Sequence, residues 1–239
     1  MTCGASTVST AKVRKPRLKH LLDGIPPDTR VVIMDVTWDV YESFVDGISE
    51  GENCRVAFDG KDIEMMSIGP FHDLLKSRID AFIAVVAGEL AIEREAVGST
   101  TWKRKNVKRG IESDLSYYFD LEKIAACALA ASRESNEVTD YPNPDLAIEI
   151  DLSPSKIDRP GIYAALKVPE LWRVRKGLVS IEHLLSPTGY VGVEKSAFLP
   201  VRPHDVTRWI FSEDSRSRVA WERRLREWLR NEFGHPVNG

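Results

Sequence analysis

The segment Asp145-Leu146-Ala147-Ile148-Glu149-Ile150-Asp151-Leu152 constrains this chain more than any other stretch. Its even positions are all apolar, and its odd positions hold Asp, Ala, Glu and Asp. A period of two belongs to a β-strand, whose successive side chains point to opposite faces. Asn143-Pro144 breaks the chain just ahead of it. Glu149 is thus expected within a central strand, where an isolated ionised carboxylate is costly. A charged residue in such a place is usually paired or metal-bound. The plainer alternative is that Glu149 and Asp151 form the solvated face of a half-exposed strand.

Other signals place further elements around this strand. Val31 to Met34 is a short apolar run, and Thr37 marks the start of a helix over Trp38 to Val45. Arg55 to Phe58 and Ile63 to Met66 flank Asp59-Gly60, a hairpin signal. Apolar residues from Leu74 to Val86 recur at helical spacing, predicting a helix from His72 to Leu90. Strand-like stretches follow at Ala91 to Trp102 and Asp114 to Asp120, then a short alanine-rich helix over Glu122 to Arg133. Beyond the central strand come a helix over Pro160 to Lys167, with its proline in the first turn, and a three-strand meander from Leu171 to Glu194. The meander turns at Lys176-Gly177 and Ser186-Pro187-Thr188-Gly189. Helices over Asp205 to Phe211 and Ser217 to Phe233 end the chain. This order fits an α/β fold, a mixed sheet with helices packed on it. It divides into a polar arm over residues 1–30, a central domain over 31–200 and a helical extension over 201–239.

Two acids on neighbouring strands can share a divalent cation, because such strands lie about 4.8 Å apart. Magnesium needs only one or two carboxylates, with water and substrate oxygens completing its shell. Asp145 and Glu149 share a face but are separated by about 13 Å along the strand. Asp114, at the head of a neighbouring strand, is the better partner for Glu149. Asp151 is about 6.6 Å further along and within reach through a water.

The net charge is −3, so binding of nucleic acid would rest on local patches. The run from Trp102 to Arg109 carries Lys103, Arg104, Lys105, Lys108 and Arg109 with no acid between them. Its place just before Asp114 leads one to expect it beside the same cleft, although a solvated surface is the plain reading of any charge run. Three scattered cysteines and five histidines make neither a disulfide framework nor a Cys/His zinc site. The absence of a long apolar run and of a signal-like start points to a cytoplasmic protein away from membranes.

At these residues the sequence resembles the Uma-two family of restriction-endonuclease-like proteins, in the PD-(D/E)XK nuclease superfamily. The resemblance runs from Trp38 to Leu199. It is carried by Glu64-Met65-Met66-Ser67 with His72, Gly98-Ser99-Thr100-Thr101-Trp102-Lys103-Arg104, and Arg109-Gly110-Ile111-Glu112-Ser113-Asp114. Pro144 to Asp151 and Asp158 to Arg173 complete it. It implies a restriction-endonuclease-like core of order αβββαβ and a metal-dependent endonuclease that hydrolyses DNA. Asp114 and Glu149 would hold Mg2+ or Mn2+, Asp151 would assist, and Arg159 or Lys156 would face the phosphate. Glu64 and His72 stand in family positions that often add an acid or a polar group, although a histidine at a helix start is more often a surface or capping residue. Tyr163 and Trp172 read as core aromatics.

Two positions depart from the family pattern. Asp151 stands where lysine follows the E-X pair, and Ser113 stands where proline precedes the aspartate. A lysine expected four residues before Tyr163 is Arg159, a poor general base. A second reading therefore stays open, a non-catalytic nucleic-acid-binding or regulatory protein that keeps the nuclease fold. An oligomer is compatible with either.

Overall fold

The computed structural model describes residues 25–47, 54–186, 189–211 and 217–234. Most of the expected arm, through residue 24, and the turn residues Pro187 and Thr188 lie outside the described residues. The first half of the chain forms β1 (Arg30–Ile33), α1 (Trp38–Val45), β2 (Cys54–Phe58), β3 (Ile63–Ser67) and the long α2 (Pro70–Glu89). Next come β4 (Glu95–Ala96), β5 (Thr101–Arg104), β6 (Arg109–Glu112), β7 (Leu115–Tyr118) and α3 (Leu121–Ser132). The rest is β8 (Leu146–Ile150), α4 (Arg159–Ala165), β9 (Glu170–Arg175), β10 (Leu178–Ser186), β11 (Gly189–Gly192), α5 (Pro203–Ile210) and α6 (Arg218–Phe233).

The strands make two sheets where the sequence led us to expect one central sheet. The first has the order β1-β3-β2-β6-β5 and is antiparallel throughout, while the second runs β11-β10-β9-β8-β7-β4. The second is mixed, because β8 and β9 pair in parallel across the α4 crossover. The chain passes from one sheet to the other at Ser113 and Asp114, between β6 and β7. The basic run that reads as a loop is a hairpin of β5 and β6, turning through Lys105–Lys108 with Lys108 at a left-handed φ of 51°. Of the strand expected over Ala91 to Trp102, only Glu95–Ala96 and the start of β5 are extended. The strand expected to run to Asp120 stops at Tyr118, because Asp120 caps α3 by accepting from the amides of Glu122 and Lys123.

β8 explains the layering. Its even residues Leu146, Ile148 and Ile150 enter a core shared with Phe82 and Val86 of α2, Val206 and Ile210 of α5, and Trp221, Leu225 and Leu229 of α6. Its odd residue Ala147 enters a second cluster with Ala57, Trp102 and Ile111 of the first sheet and Ile162, Tyr163 and Leu166 around α4. A third cluster, around Trp38, Tyr41, Phe58 and Met65, fixes α1 to the outer face of the first sheet. All five β8 residues are consequently buried, and the half-exposed strand considered for Glu149 does not occur. Glu149 shares the odd face of β8 with Ala147, between the two sheets.

The helices α5 and α6, expected as an extension, close the main core from below. Among the described residues no helix is long and apolar enough to cross a membrane. Leu225 is fully buried in that core. Leu225→Ala should cost about 2–5 kcal/mol in a single urea transition of the whole protein. A C-terminal segment folding apart from the core would leave the main transition unmoved.

Candidate active site

Two carboxylates face each other where the chain changes sheets. β7 and β8 pair antiparallel with Leu115 opposite Ile148, a register that sets Asp114 opposite Glu149. Opposed residues of such a pair present their side chains on one face, about 4.5–5.5 Å apart at Cβ. The Asp114 amide still donates to the Ile148 carbonyl at 3.2 Å, but the chain bends away there. Its carboxylate takes over the ladder, Oδ2 accepting from the Ile150 amide at 2.8 Å. Both acids are almost fully buried, at 1% and 2% exposure.

Glu149 is held by α4. The guanidinium of Arg159, the first residue of that helix, donates twice to Oε2, from Nε at 2.8 Å and Nη2 at 2.5 Å. Tyr163, one turn on, donates its hydroxyl to Oε1. The start of the helix is fixed by Asp158, whose carboxylate accepts from the Gly161 amide at 3.0 Å. A Cβ at Gly161 would lie 2.2 Å from that carboxylate, so the cap needs glycine there.

A second buried acid organises the loop between β8 and α4. Glu64 of β3 accepts from Arg30 Nη1 at 2.6 Å, from the Ser155 hydroxyl at 3.0 Å and from the Lys156 amide at 2.6 Å. Arg159 Nη1 lies 3.5 Å from it. Arg30 also bonds Asp151 at 2.8 Å, and Arg173 approaches the other Asp151 oxygen at 3.8 Å. Asp151 is thus an ion-paired group, and Lys156 contributes its main-chain amide while its residue is exposed. Arg159, 2% exposed, faces the acids Glu149 and Glu64. The reason is charge: Glu64, Glu149 and Asp151 are met here by only two buried guanidiniums, Arg30 and Arg159.

His72 of α2 and Arg55 of β2 close the other side of Asp114. His72 is fully buried rather than capping at the surface, with Nε2 3.2 Å from Asp114 Oδ1. Arg55 Nε lies 3.4 Å from the same oxygen, while its Nη1 bonds Glu112 at 2.8 Å. Burial raises the Asp114 carboxyl, but the imidazole of His72, the Ile150 amide and Arg55 outweigh it and hold the group below its ordinary range. Glu149 goes the other way. Burial, with the like charges of Asp114 and Asp151, pushes it up to about 7 against the opposing Arg159 and Tyr163.

The basic run divides in the structure. Arg104 satisfies the carbonyls of Val138 and Tyr141, and Lys103 pairs with Asp46 at 2.7 Å. Lys105 and Lys108 sit at the hairpin tip, and Arg109 is five residues, about 17 Å, up the strand path from Asp114. Arg30, Arg55 and Tyr163 are site residues that sequence reasoning did not select. Tyr163 carried the only prior signal, an aromatic one turn after Arg159. Trp172 is a core residue, its indole donating to Glu170 at 2.6 Å.

Lone-pair accounting shows what the acids have left for a cation. Oε2 of Glu149 is filled by Arg159, and Oε1 keeps one free lone pair beside Tyr163. Asp114 Oδ2 serves Ile150, while Oδ1 makes no aligned hydrogen bond despite its cationic neighbours. Buried side-chain polar atoms without a partner concentrate here. Arg55 Nε, both ring nitrogens of His72, Asp114 Oδ1 and Arg159 Nη1 make up five of ten such atoms among the described residues. Native interiors rarely leave such atoms unmatched unless an ion or water completes them. One oxygen from each acid therefore fits a magnesium-type ion, which takes two carboxylates and otherwise water or substrate oxygens. Among the described residues no group of three or more His, Cys, Asp or Glu side chains is placed to hold a metal ion.

Buried acids and arginines thus meet between the two sheets of this α/β fold. The chain belongs to the Uma2 family, described as putative restriction endonuclease, whose model matches residues 38–204. A crystal structure titled a putative nuclease belonging to DUF820, from Anabaena variabilis, is similar at 17% identity with a TM-score of 0.45, covering 74% of this chain and 99% of that one. Comparison with curated proteins finds no match.

Two outcomes follow from the burial of this centre. Arg159→Ala should destabilise the protein by about 3–5 kcal/mol in urea denaturation, because it strands Glu149 without its cation. Since the folded state raises Glu149 from 4.5 to about 7, the stability tied to its protonated form is lost as pH rises through that window. Glu149→Gln should flatten that loss, by at most about 1.4 kcal/mol per pH unit, in denaturation series run with chelator between pH 5 and 8.

Proposed function

We propose that the protein is a metal-dependent endonuclease that hydrolyses phosphodiester bonds in DNA, using Mg2+ or Mn2+ held by Asp114 and Glu149. The observation that carries this reading is the opposition of two buried acids across β7 and β8, each with one oxygen lone pair uncommitted. Family membership favours a nucleic acid as substrate. The chemistry such an ion supplies is charge neutralisation at the phosphate and a more acidic water.

The chain's own groups prepare the acids. Arg159 and Tyr163 orient Glu149, and His72 with the Ile150 amide orients Asp114. Glu64 ties β3 to the loop before α4, so the first sheet and the β8 loop move as one body. Asp151 is neutralised by Arg30 and so adds no free negative charge to the centre.

One observation favours the alternative of a binding or regulatory protein with a closed site. The Arg159 guanidinium already occupies one whole oxygen of Glu149, and no lysine follows the E-X pair. Cleavage of supercoiled and single-stranded DNA across Mg2+, Mn2+ and chelator separates the two. We expect nicking by the wild type with Mg2+ or Mn2+, none with chelator, and loss of at least about a hundredfold in Asp114→Asn and Glu149→Gln. A wild type that binds DNA but cuts none under any metal would make the binding reading the correct one.

A further inference from the structure

Beside Asp114, on the side away from Glu64, two cations converge on a neutral hydroxyl. Lys76 Nζ donates to Ser99 Oγ at 2.5 Å and Arg55 Nη2 donates to the same oxygen at 3.1 Å. The Ser99 hydroxyl in turn donates to the Asp114 main-chain carbonyl at 3.2 Å. Its hydroxyl is thereby full, with two donors in and one bond out. Lys76 lies on α2 one turn beyond His72, on the same face. Among the described residues no carboxylate lies within ion-pair distance of its ammonium, although Asp114, Asp73 and Glu112 act on it from farther away.

This arrangement is unusual for a structural lysine. Half-buried cations are normally paired with an acid, and here burial and the adjacent Arg55 hold Lys76 below the ordinary lysine range. Among the described residues, two of its three donors make no hydrogen bond. Arg55 and Glu112 retain 11% and 18% side-chain exposure, and Lys76 and Ser99 are partly exposed. The polar centre thus meets solvent on this side, whereas Arg159, Arg30 and Glu64 close the other. Arg55 is already paired with Glu112 and Asp114, which leaves the Lys76 ammonium as the cation that an anionic oxygen would match.

We propose that Lys76 and Arg55, joined through the Ser99 hydroxyl at the solvent-facing edge of Asp114, form the site that receives a backbone phosphate of the nucleic acid. The inference rests on the nuclease reading for the carrier of that phosphate, and it gives the centre the externally reachable cation that buried Arg159 does not. Lys76 would contribute its two remaining N–H groups, while Arg55 holds the Ser99 hydroxyl in place.

The test is binding of a short fluorescently labelled duplex and of its single strand, by anisotropy in chelator over a salt series. Lys76→Ala should weaken binding about tenfold, the loss of one charge-assisted contact. The slope of log affinity against log salt should fall by about one, and Lys76→Arg should restore both. Lys76→Met, which keeps the apolar stem, serves if the alanine variant folds poorly. Affinity and slope equal to wild type in Lys76→Ala or Lys76→Met would overturn the site, as would a wild type that binds neither nucleic acid. If the Lys76 effect holds but the wild type cuts nothing with Mg2+ or Mn2+, the phosphate site stands and the nuclease reading falls. If the wild type cuts and Lys76→Ala binds and cuts equally well, the reverse is true.

Discussion

The bond between Arg159 and Glu149 is the constraint on which the rest of this structure depends. An acid in the middle of a strand buried on both faces requires a cation within the same layer, and α4 begins at the one residue able to supply it. Everything around it then has to satisfy the arginine in turn. Glu64 stands beside its second amino group, Arg30 balances Glu64, and Asp151 occupies the far end of Arg30. Buried ion pairs of this kind contribute little net stability compared with apolar packing.

The architecture explains why the centre lies where it does. A strand that leaves one sheet and enters another has a residue whose backbone serves neither ladder fully, and Asp114 is that residue. Its carboxylate completes the β8 ladder with one oxygen and points the other into the gap between the sheets. Apolar packing on the same face, around Ala147, Ile162 and Leu166, keeps water from much of that gap. The two acids are therefore brought together by sheet pairing and not by proximity in the chain.

Much of this was legible in the sequence. The alternation in 145–152 located β8 and the orientation of Glu149, and the need for a partner on a neighbouring strand led to Asp114. The helices α2, α4, α5 and α6 followed from periodicity and proline placement to within a few residues. What could not be read were partners set by pairing across long separations. Arg30 looked like part of a basic arm, yet it bonds an acid 121 residues away because β1 pairs with β3 beside the β8 loop. Arg55 sits in a strand read only from the hairpin signal at Asp59-Gly60, which says nothing of its side-chain partners. Arg159 looked free to face a phosphate, since nothing local shows that three carboxylates converge on its side of the sheet. Tyr163 reads as core from its neighbours, and only the short loop from β8 to α4 brings its hydroxyl to Glu149.

The chain of contacts from Asp151 through Arg30 to Glu64 also bears on how relatives of this protein can diverge. Replacing Arg30 takes the nearest cation from both acids, and replacing Glu64 or Asp151 takes one of its two carboxylates from Arg30, so each change alone unbalances a buried cluster. Substitutions at positions 30, 64 and 151 should therefore cost least as matched sets, or as amides of the same shape that remove charge without removing hydrogen bonds. A residue in the first strand and one in the central loop thus carry one constraint between them, although more than a hundred positions separate them.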